Sequence, residues 1–412
     1  MNTPESKWNS IAIVATTKST FAGAATIKCR FLEYLHNLGC KITLIVEDIP
    51  PAYKKMNSTY SLNIVNPSKA KSASQEAKEL LYNYIIEEIV AEAKDYHSKG
   101  QKVIIWGSHM FPYGCACLKA KEILRNQGIV TSLILFPVGA DIWEIGKDTP
   151  ITLIDLLNST EVDFLATYSQ KFSEEIKVFL NSAKSIECVP PFINENLFRK
   201  FTIQEKNKRR KELGLEKDSL IFINHSNMRP VKRLDFTIMI ADEIAKLRQH
   251  QPCHLLLIGP KIPSLPIISL SINIHQIDTI NDVETYLPIA DFCINTSLHD
   301  SFNTALLESM SCGVPTITSD RPAIAEVIRE NGAGVVFNTH IQSKDLQSEI
   351  YGDYPISSTE YLRLINQISK LTEIEIKKMQ DLGQRTISEN YSLSSGTKHL
   401  RNLILKAVSE KE

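Results

Sequence analysis

Two α/β domains, each built on a doubly wound parallel sheet, are predicted by three features of the sequence. Its 412 residues exceed what a single core ordinarily holds, so two domains of roughly 200 residues each are expected. Short runs rich in Ile, Val and Leu alternate with longer helical patterns, as parallel strands covered by helices do. The alternation occurs twice, on either side of the double proline Pro190-Pro191, which blocks continuation of strand or helix.

In the first half, strands are expected at 11–16 (IAIVAT), 41–46 (KITLIV), 103–107 (VIIWG), 130–136 (VTSLILF), 163–168 (DFLATY) and 186–189 (IECV). In the second half they are expected at 219–224 (SLIFIN), 254–258 (HLLLI), 291–295 (DFCIN), 314–318 (VPTIT) and 334–337 (GVVF). The irregular segment PPFINENLFRK joins the halves, which puts the domains at 1–195 and 196–385. A helical pattern over 386–412 is long enough to pack back on the first domain. The basic run EKNKRRKEL at 205–213 reads as the solvated face of a helix.

Composition narrows the function classes. With 43% hydrophobic and 23% charged residues the chain reads as an ordinary globular protein. Its 46 Lys plus Arg against 47 Asp plus Glu leave a net charge of -1, so there is no electrostatic reason to expect a nucleic-acid partner. No run approaches the roughly 20 apolar residues of a membrane span, and the N-terminal stretch does not read as a signal peptide. A cytoplasmic protein is expected, with membrane contact at most peripheral and a homodimer left open. The eight cysteines include no CxxC and read as reduced thiols rather than disulfides or zinc ligands.

Ligands of open parallel sheets sit beyond the carboxyl ends of the strands, so the loops there carry the candidates. The first is LHDSFNTALLESMSCGVPTITSD, residues 298–320. Ser301 or Asn303 is a good N-cap, and the amides of Phe302, Asn303 and Thr304 would then serve as anion donors at a helix start. Thr304 and Glu308 share a helix face, with Glu308 roughly 7 Å deeper than the start. That offset suits a diphosphate at the helix start and a ribose held by Glu308, leaving Asp300 for the group beyond the diphosphate. The same residues also fit a purely structural reading, in which Asp300 caps the helix and Glu308 pairs with a nearby cation.

The second candidate is INHSNMRPVKRLD, residues 223–235. Arg229, Lys232 and Arg233 cluster at a strand's carboxyl end, where they could neutralise a diphosphate leaving group or simply face solvent. The third is FPVGADIWEIG, residues 136–146, in which Gly139 allows close backbone approach and Asp141 offers a carboxylate. Its counterpart, TTKSTFAGAAT at 16–26, includes Gly23; His109 follows another strand and could line the same region. Turn formation alone also accounts for these. No G-x-G-x-x-G follows the first strand, and neither a P-loop nor a G-x-S-x-G elbow is present.

Taken together, the cationic loop and the acid pair resemble the family 4 retaining glycosyltransferases of the GT-B fold. HDSFNTALLESMSCGVPTITSD resembles that family's E-x(7)-E segment with its Cys-Gly-Val-Pro turn. SNMRPVKRLD is similar to its phosphate loop, in the form seen in the glucosaminyl malate synthases of bacillithiol assembly. The resemblance implies two doubly wound Rossmann-like domains facing a central cleft, the first for acceptor and the second for donor. It implies Lys232 on the donor diphosphate, Glu308 on the ribose, and Asp300 with the backbone of 301–304 facing the transferred sugar. Three positions depart from the family pattern. Asp300 stands where Glu is usual, Asn227 stands where many members carry Arg, and Val138-Gly139-Ala140-Asp141 lacks the usual histidine. Arg229 or Arg233 would then supply the second charge.

The expected reaction is transfer of a hexose or N-acetylhexosamine from a nucleotide diphosphate sugar, with a UDP-sugar favoured. The acceptor is a hydroxyl on a small molecule, a glycan or a lipid-linked molecule, approached around residues 17–24, 52–75 and 107–115. Neither cofactor nor metal is expected, the loop cations replacing Mg²⁺, and the leaving phosphate takes the acceptor proton. The alternatives are a silent nucleotide-sugar-binding protein and a nucleotide-sugar hydrolase or epimerase.

Overall fold

The computed structural model describes residues 7–17, 23–46, 63–65, 75–139, 141, 152–181, 184–248, 250–260, 271–280, 282–340 and 356–409. The chain divides into a first unit, Met1–Pro190 with Lys398–Glu412, and a second, Pro191–Thr397.

The first unit runs β1 (Ile11–Thr17), α1 (Gly23–Asn37), β2 (Lys41–Val46), β3 (Asn63–Val65), α2 (Gln75–Ser98), β4 (Lys102–Ser108), α3 (Cys115–Asn126), β5 (Thr131–Phe136), α4 (Leu153–Asn158), β6 (Phe164–Thr167), α5 (Gln170–Lys177) and β7 (Ile186–Cys188). Its sheet has the order β3-β2-β1-β4-β5-β6-β7, and all its pairings are parallel. Every residue of β1 and β5 is buried, as strands covered by helices on both faces require. Trp106 and Phe136 stack at 4.9 Å between ring centroids, with Phe31 and Tyr168 against them.

The second unit runs α6 (Ile203–Glu212), β8 (Leu220–His225), α7 (Leu234–Leu247), β9 (Cys253–Ile258), β10 (Asn273–Ile277), β11 (Phe292–Asn295), α8 (Thr304–Ser311), β12 (Thr316–Ser319), α9 (Ile324–Asn331), β13 (Gly334–Phe337), α10 (Ser358–Ser369) and α11 (Glu373–Asn390). Its sheet has the order β10-β9-β8-β11-β12-β13, again parallel throughout. Local chemistry sets the helix starts. Thr202 with Glu205, and Thr372 with Glu375, form reciprocal capping boxes at α6 and α11. The basic run of α6 is largely a solvated face, except that Arg210 is buried on Asp291 and on the carbonyls of Ile289 and Ser219.

The last helix, α12 (Thr397–Ser409), buries Leu400, Leu403, Ile404 and Ala407. It belongs to the first unit, tied there by the Lys406–Glu187 ion pair at 2.6 Å. The joins fall at 190/191 and 397/398 rather than at 195 and 385. The reason is local: Ile193 N–H donates to Tyr391 O, and Leu393 N–H to Glu195, which fastens both linker segments to the second unit.

Two strands escape the sequence pattern, β3 and β10. Both are sheet edges. β10, NIHQI, has no fully buried position and so lacks the apolar run by which the inner strands are recognised.

Beyond β9, Gly259 holds φ +150°, and a Cβ built there would lie 2.1 Å from the Ser226 carbonyl oxygen. The backbone following β9 is thus pressed against the start of the loop following β8. Gly259→Ala is expected to cost about 2–3 kcal/mol in chemical denaturation. Gly214→Ala, also at positive φ but with nothing within 4 Å, should cost about 1 kcal/mol. Equal costs at both positions would show that the close approach at Ser226 is not a constraint.

Candidate functional site

In each sheet the strand order reverses at one point, between β1 and β4 in the first unit and between β8 and β11 in the second. Ligands of doubly wound sheets bind at such reversals. The two loops singled out in the second half, 226–233 and 296–303, follow β8 and β11 and therefore flank this point.

A buried chain of side-chain hydrogen bonds ties these loops together. Thr296 Oγ1 donates to the Arg233 carbonyl at 2.7 Å. A hydroxyl has one proton, so the 2.8 Å contact between Thr237 and Thr296 runs from Thr237 to Thr296. Asn224 Nδ2 lies 3.4 Å from Thr237 Oγ1 and donates to Ile294 O at 2.7 Å. Leu298 N–H closes the set on Val231 O.

This join brings Lys232 against Asp300, Nζ to Oδ2 at 2.6 Å, with both side chains mostly shielded. Sequence reasoning sent these two residues to different parts of a donor; the structure pairs them. Arg233 is buried and engages Asp235 through two nitrogens. The αL conformation of Arg233, φ 46°, turns the chain into α7. Arg229 is exposed and, among the described residues, has no carboxylate within ion-pair reach. Asn227 is half-buried, and its Oδ1 is without a hydrogen-bond partner among the described residues.

The start of α8 differs from expectation. Asn303 occupies the cap position in the left-handed region, φ 82°, and makes no side-chain cap; its Nδ2 donates instead to Asn295 Oδ1 at 3.0 Å. The first-turn N–H groups of α8 therefore receive no acceptor from the Asn303 side chain, and α8 begins in the loop that follows β11 at the strand-order reversal. Phe302 is buried with its ring 5.7 Å from that of Tyr391. The following Gly313, at φ 68°, lets the chain leave α8 for β12.

Glu308, one helical turn beyond Thr304, is 6% exposed. His225 Nε2, at the end of β8, lies 3.0 Å from Glu308 Oε2. Sequence reasoning missed His225; its signal is a polar residue where an apolar strand ends. Burial alone would lower the imidazole's pKa, but the neighbouring Cys293 and Glu308 outweigh it and raise it to about 9. A protonated His225 donating to the Glu308 carboxylate satisfies two buried groups at once.

In the first unit, Thr17 Oγ1 and His109 Nδ1 approach to 3.4 Å at the β1/β4 reversal. His109 adopts φ 62°. Gly23 opens α1. Asp141, expected to offer a carboxylate, accepts from Val138 N–H at 2.8 Å and closes its own turn, in which Gly139 is buried. Residues 18–22, Ala140 and, apart from β3, the 52–74 stretch lie outside the described residues. Among the described residues no cluster of three His, Cys, Asp or Glu side chains could hold a metal ion, no helix is long and apolar enough to cross a membrane, and the eight cysteines are free thiols.

The raised pKa of His225 sets a stability dependence. Its contribution is complete below the unfolded value near 6.5 and is lost as pH rises through about 9. The parent protein is expected to lose on the order of 1–2 kcal/mol between pH 6.5 and 9.5 relative to Glu308→Gln, which removes the carboxylate but keeps the Cys293 contribution. Parallel pH–stability curves for the two proteins would exclude a charged pair.

Comparison with known proteins accords with this geometry. Residues 205–351 match the family described as Glycosyl transferases group 1. An N-acetyl-alpha-D-glucosaminyl L-malate synthase of Bacillus anthracis is 29% identical over 226 residues, which covers 53% of this chain and 57% of that protein. The match thus spans little more than half of that relative's length. A glycosyltransferase from Rickettsia africae superimposes with a TM-score of 0.70 at 14% identity, covering 97% of this chain and 99% of that one. Anabaena Alr3699/HepE, solved in complex with UDP and glucose, gives 0.72 at 13% identity, covering 96% and 100%. The two-sheet architecture is the GT-B fold, and its second unit matches the group 1 glycosyl transferases over the stretch that holds Lys232, Asp300 and Glu308.

Proposed function

We propose that this chain is a retaining glycosyltransferase that moves a hexose or N-acetylhexosamine from a nucleoside diphosphate sugar, with uridine as the favoured base, to a hydroxyl acceptor. One observation carries the reading. At a single strand-order reversal the structure gathers a lysine on a loop carboxylate, a helix start without a side-chain cap, and a buried carboxylate one turn deeper.

The chemistry follows from charge. A departing diphosphate gains negative charge as the anomeric bond breaks, and Lys232, Arg229 and the first-turn amides of α8 stabilise it. Glu308 accepts hydrogen bonds from the ribose hydroxyls. Asp300 turns to the hydroxyls of the transferred sugar once Lys232 moves to the phosphate. The acceptor oxygen attacks from the face that the diphosphate leaves, and a phosphate oxygen takes its proton, so no side-chain base is assigned. Neither a metal nor a cofactor enters this scheme. Acceptor recognition is assigned to the first unit, at the reversal where Thr17 and His109 meet.

A second reading, nucleotide-sugar binding without transfer, is favoured by Val138 standing where the resembling family carries histidine and by Asp300 already holding Lys232. The two readings separate on a panel of nucleoside diphosphates and their sugars, followed by thermal stabilisation and product analysis with and without acceptors. A ligand at about 100 times its Kd should add about 2.7 kcal/mol to the parent. That gain should be largely absent in Lys232→Ala and Glu308→Ala. In Asp300→Asn, with its lysine released, the diphosphate should bind several-fold more tightly while transfer is lost. Stabilisation without any turnover would leave the binding reading, free sugar released without acceptor would indicate a hydrolase, and no stabilisation at millimolar ligand would end both readings of a nucleotide site.

A further inference from the structure

We infer that His225 is a positioning residue for nucleotide recognition: it holds one oxygen of Glu308 so that the other is presented to the vicinal hydroxyls of a ribose. This inference rests on the proposed nucleotide site and adds to it a residue that no comparison assigns.

The geometry carries it. His225 ends β8 and Glu308 lies on α8, so their 3.0 Å contact spans the strand-order reversal from one side to the other. Both are buried. A carboxylate on a helix has free χ rotations, and one that must accept two hydrogen bonds from adjacent hydroxyls loses affinity if those rotations are not already restricted. A donor fixed on a rigid inner strand removes that freedom for Oε2. The groups acting on the imidazole are Cys293 from β11 and Glu308 from α8, and Glu308 is the carboxylate it meets at 3.0 Å. A merely structural pair would look the same in the free protein but would have no bearing on whether the ligand carries a 2′-hydroxyl.

The test is therefore a ratio. Affinities of UDP, GDP, ADP and CDP and of their 2′-deoxy counterparts are measured by calorimetry for the parent, His225→Phe and His225→Gln. The parent should prefer the ribose form of its nucleotide by about tenfold or more, the magnitude of a hydrogen bond to a charged group. His225→Phe should reduce that preference to near unity while the deoxy form binds almost as in the parent. In His225→Gln, whose amide reaches the same oxygen, the preference should return. The preference should also decline in the parent as pH rises through the imidazole's titration, and remain level in His225→Gln. If His225→Phe does not fold, the pH comparison between parent and His225→Gln decides.

A full ribose preference in His225→Phe, or an identical alkaline decline in His225→Gln, would overturn the role of His225 and leave the nucleotide site standing. A parent that binds nucleotides without ribose preference would also overturn it. A parent that binds none of them would remove the site itself.

Discussion

The second unit depends on one hydroxyl, that of Thr296. It lies on the loop after β11, accepts from Thr237 on α7, and donates to the carbonyl of Arg233 at the mouth of that helix. The direction of every proton in this chain is forced, because Asn224 can only give from its amide nitrogen and each threonine has one proton to pass on. Such a chain tolerates no slippage between the two loops. A shift would strand several buried polar atoms, each at a cost of about 1–3 kcal/mol. Two segments some seventy residues apart in sequence are in this way held as one surface.

That rigidity explains how the charged residues pair. With the loops fixed, Lys232 and Asp300 face each other and neutralise. Glu308, deeper, is neutralised in turn by His225. Each carboxylate therefore has its own cation, and Arg229 remains exposed. A partly shielded lysine with its counter-ion costs less to maintain than a bare one, and a polyanion carrying more than one charge can displace a single aspartate from it.

Much of the fold was legible from sequence because the inner strands are continuous apolar runs, and burial on both faces leaves no other composition open to them. The edges were not legible, since β3 and β10 are short, and β10 is partly solvated, so each reads as loop. At the candidate site, the residue types and their order along the chain pointed to two loops that the structure brings to one strand-order reversal. What the sequence concealed was pairing. Nothing in the spacing of Lys232 and Asp300 announces their contact, because it depends on the lateral placement of β8 beside β11, two strands far apart in the chain. His225 was hidden for the same reason, as was the preference of Asn303 for Asn295 over its own helix. The structural alternative considered for the acid pair proved half right: Glu308 does meet a cation, while Asp300 caps nothing.

The spacing of eight between Asp300 and Glu308 thereby acquires a physical meaning. A loop acid at a helix entrance keeps part of its surface in water and can change partners at low cost, whereas an acid one turn into a buried helix cannot. The first suits a group that must release a lysine and take up a new ligand; the second suits one that should stay in place while a ligand comes to it. The short side chain of aspartate at position 300 strengthens this division. Its carboxylate sits 2.6 Å from Lys232 Nζ, and one more methylene would change that contact, so the pairing of the two loops is set by the length of one side chain.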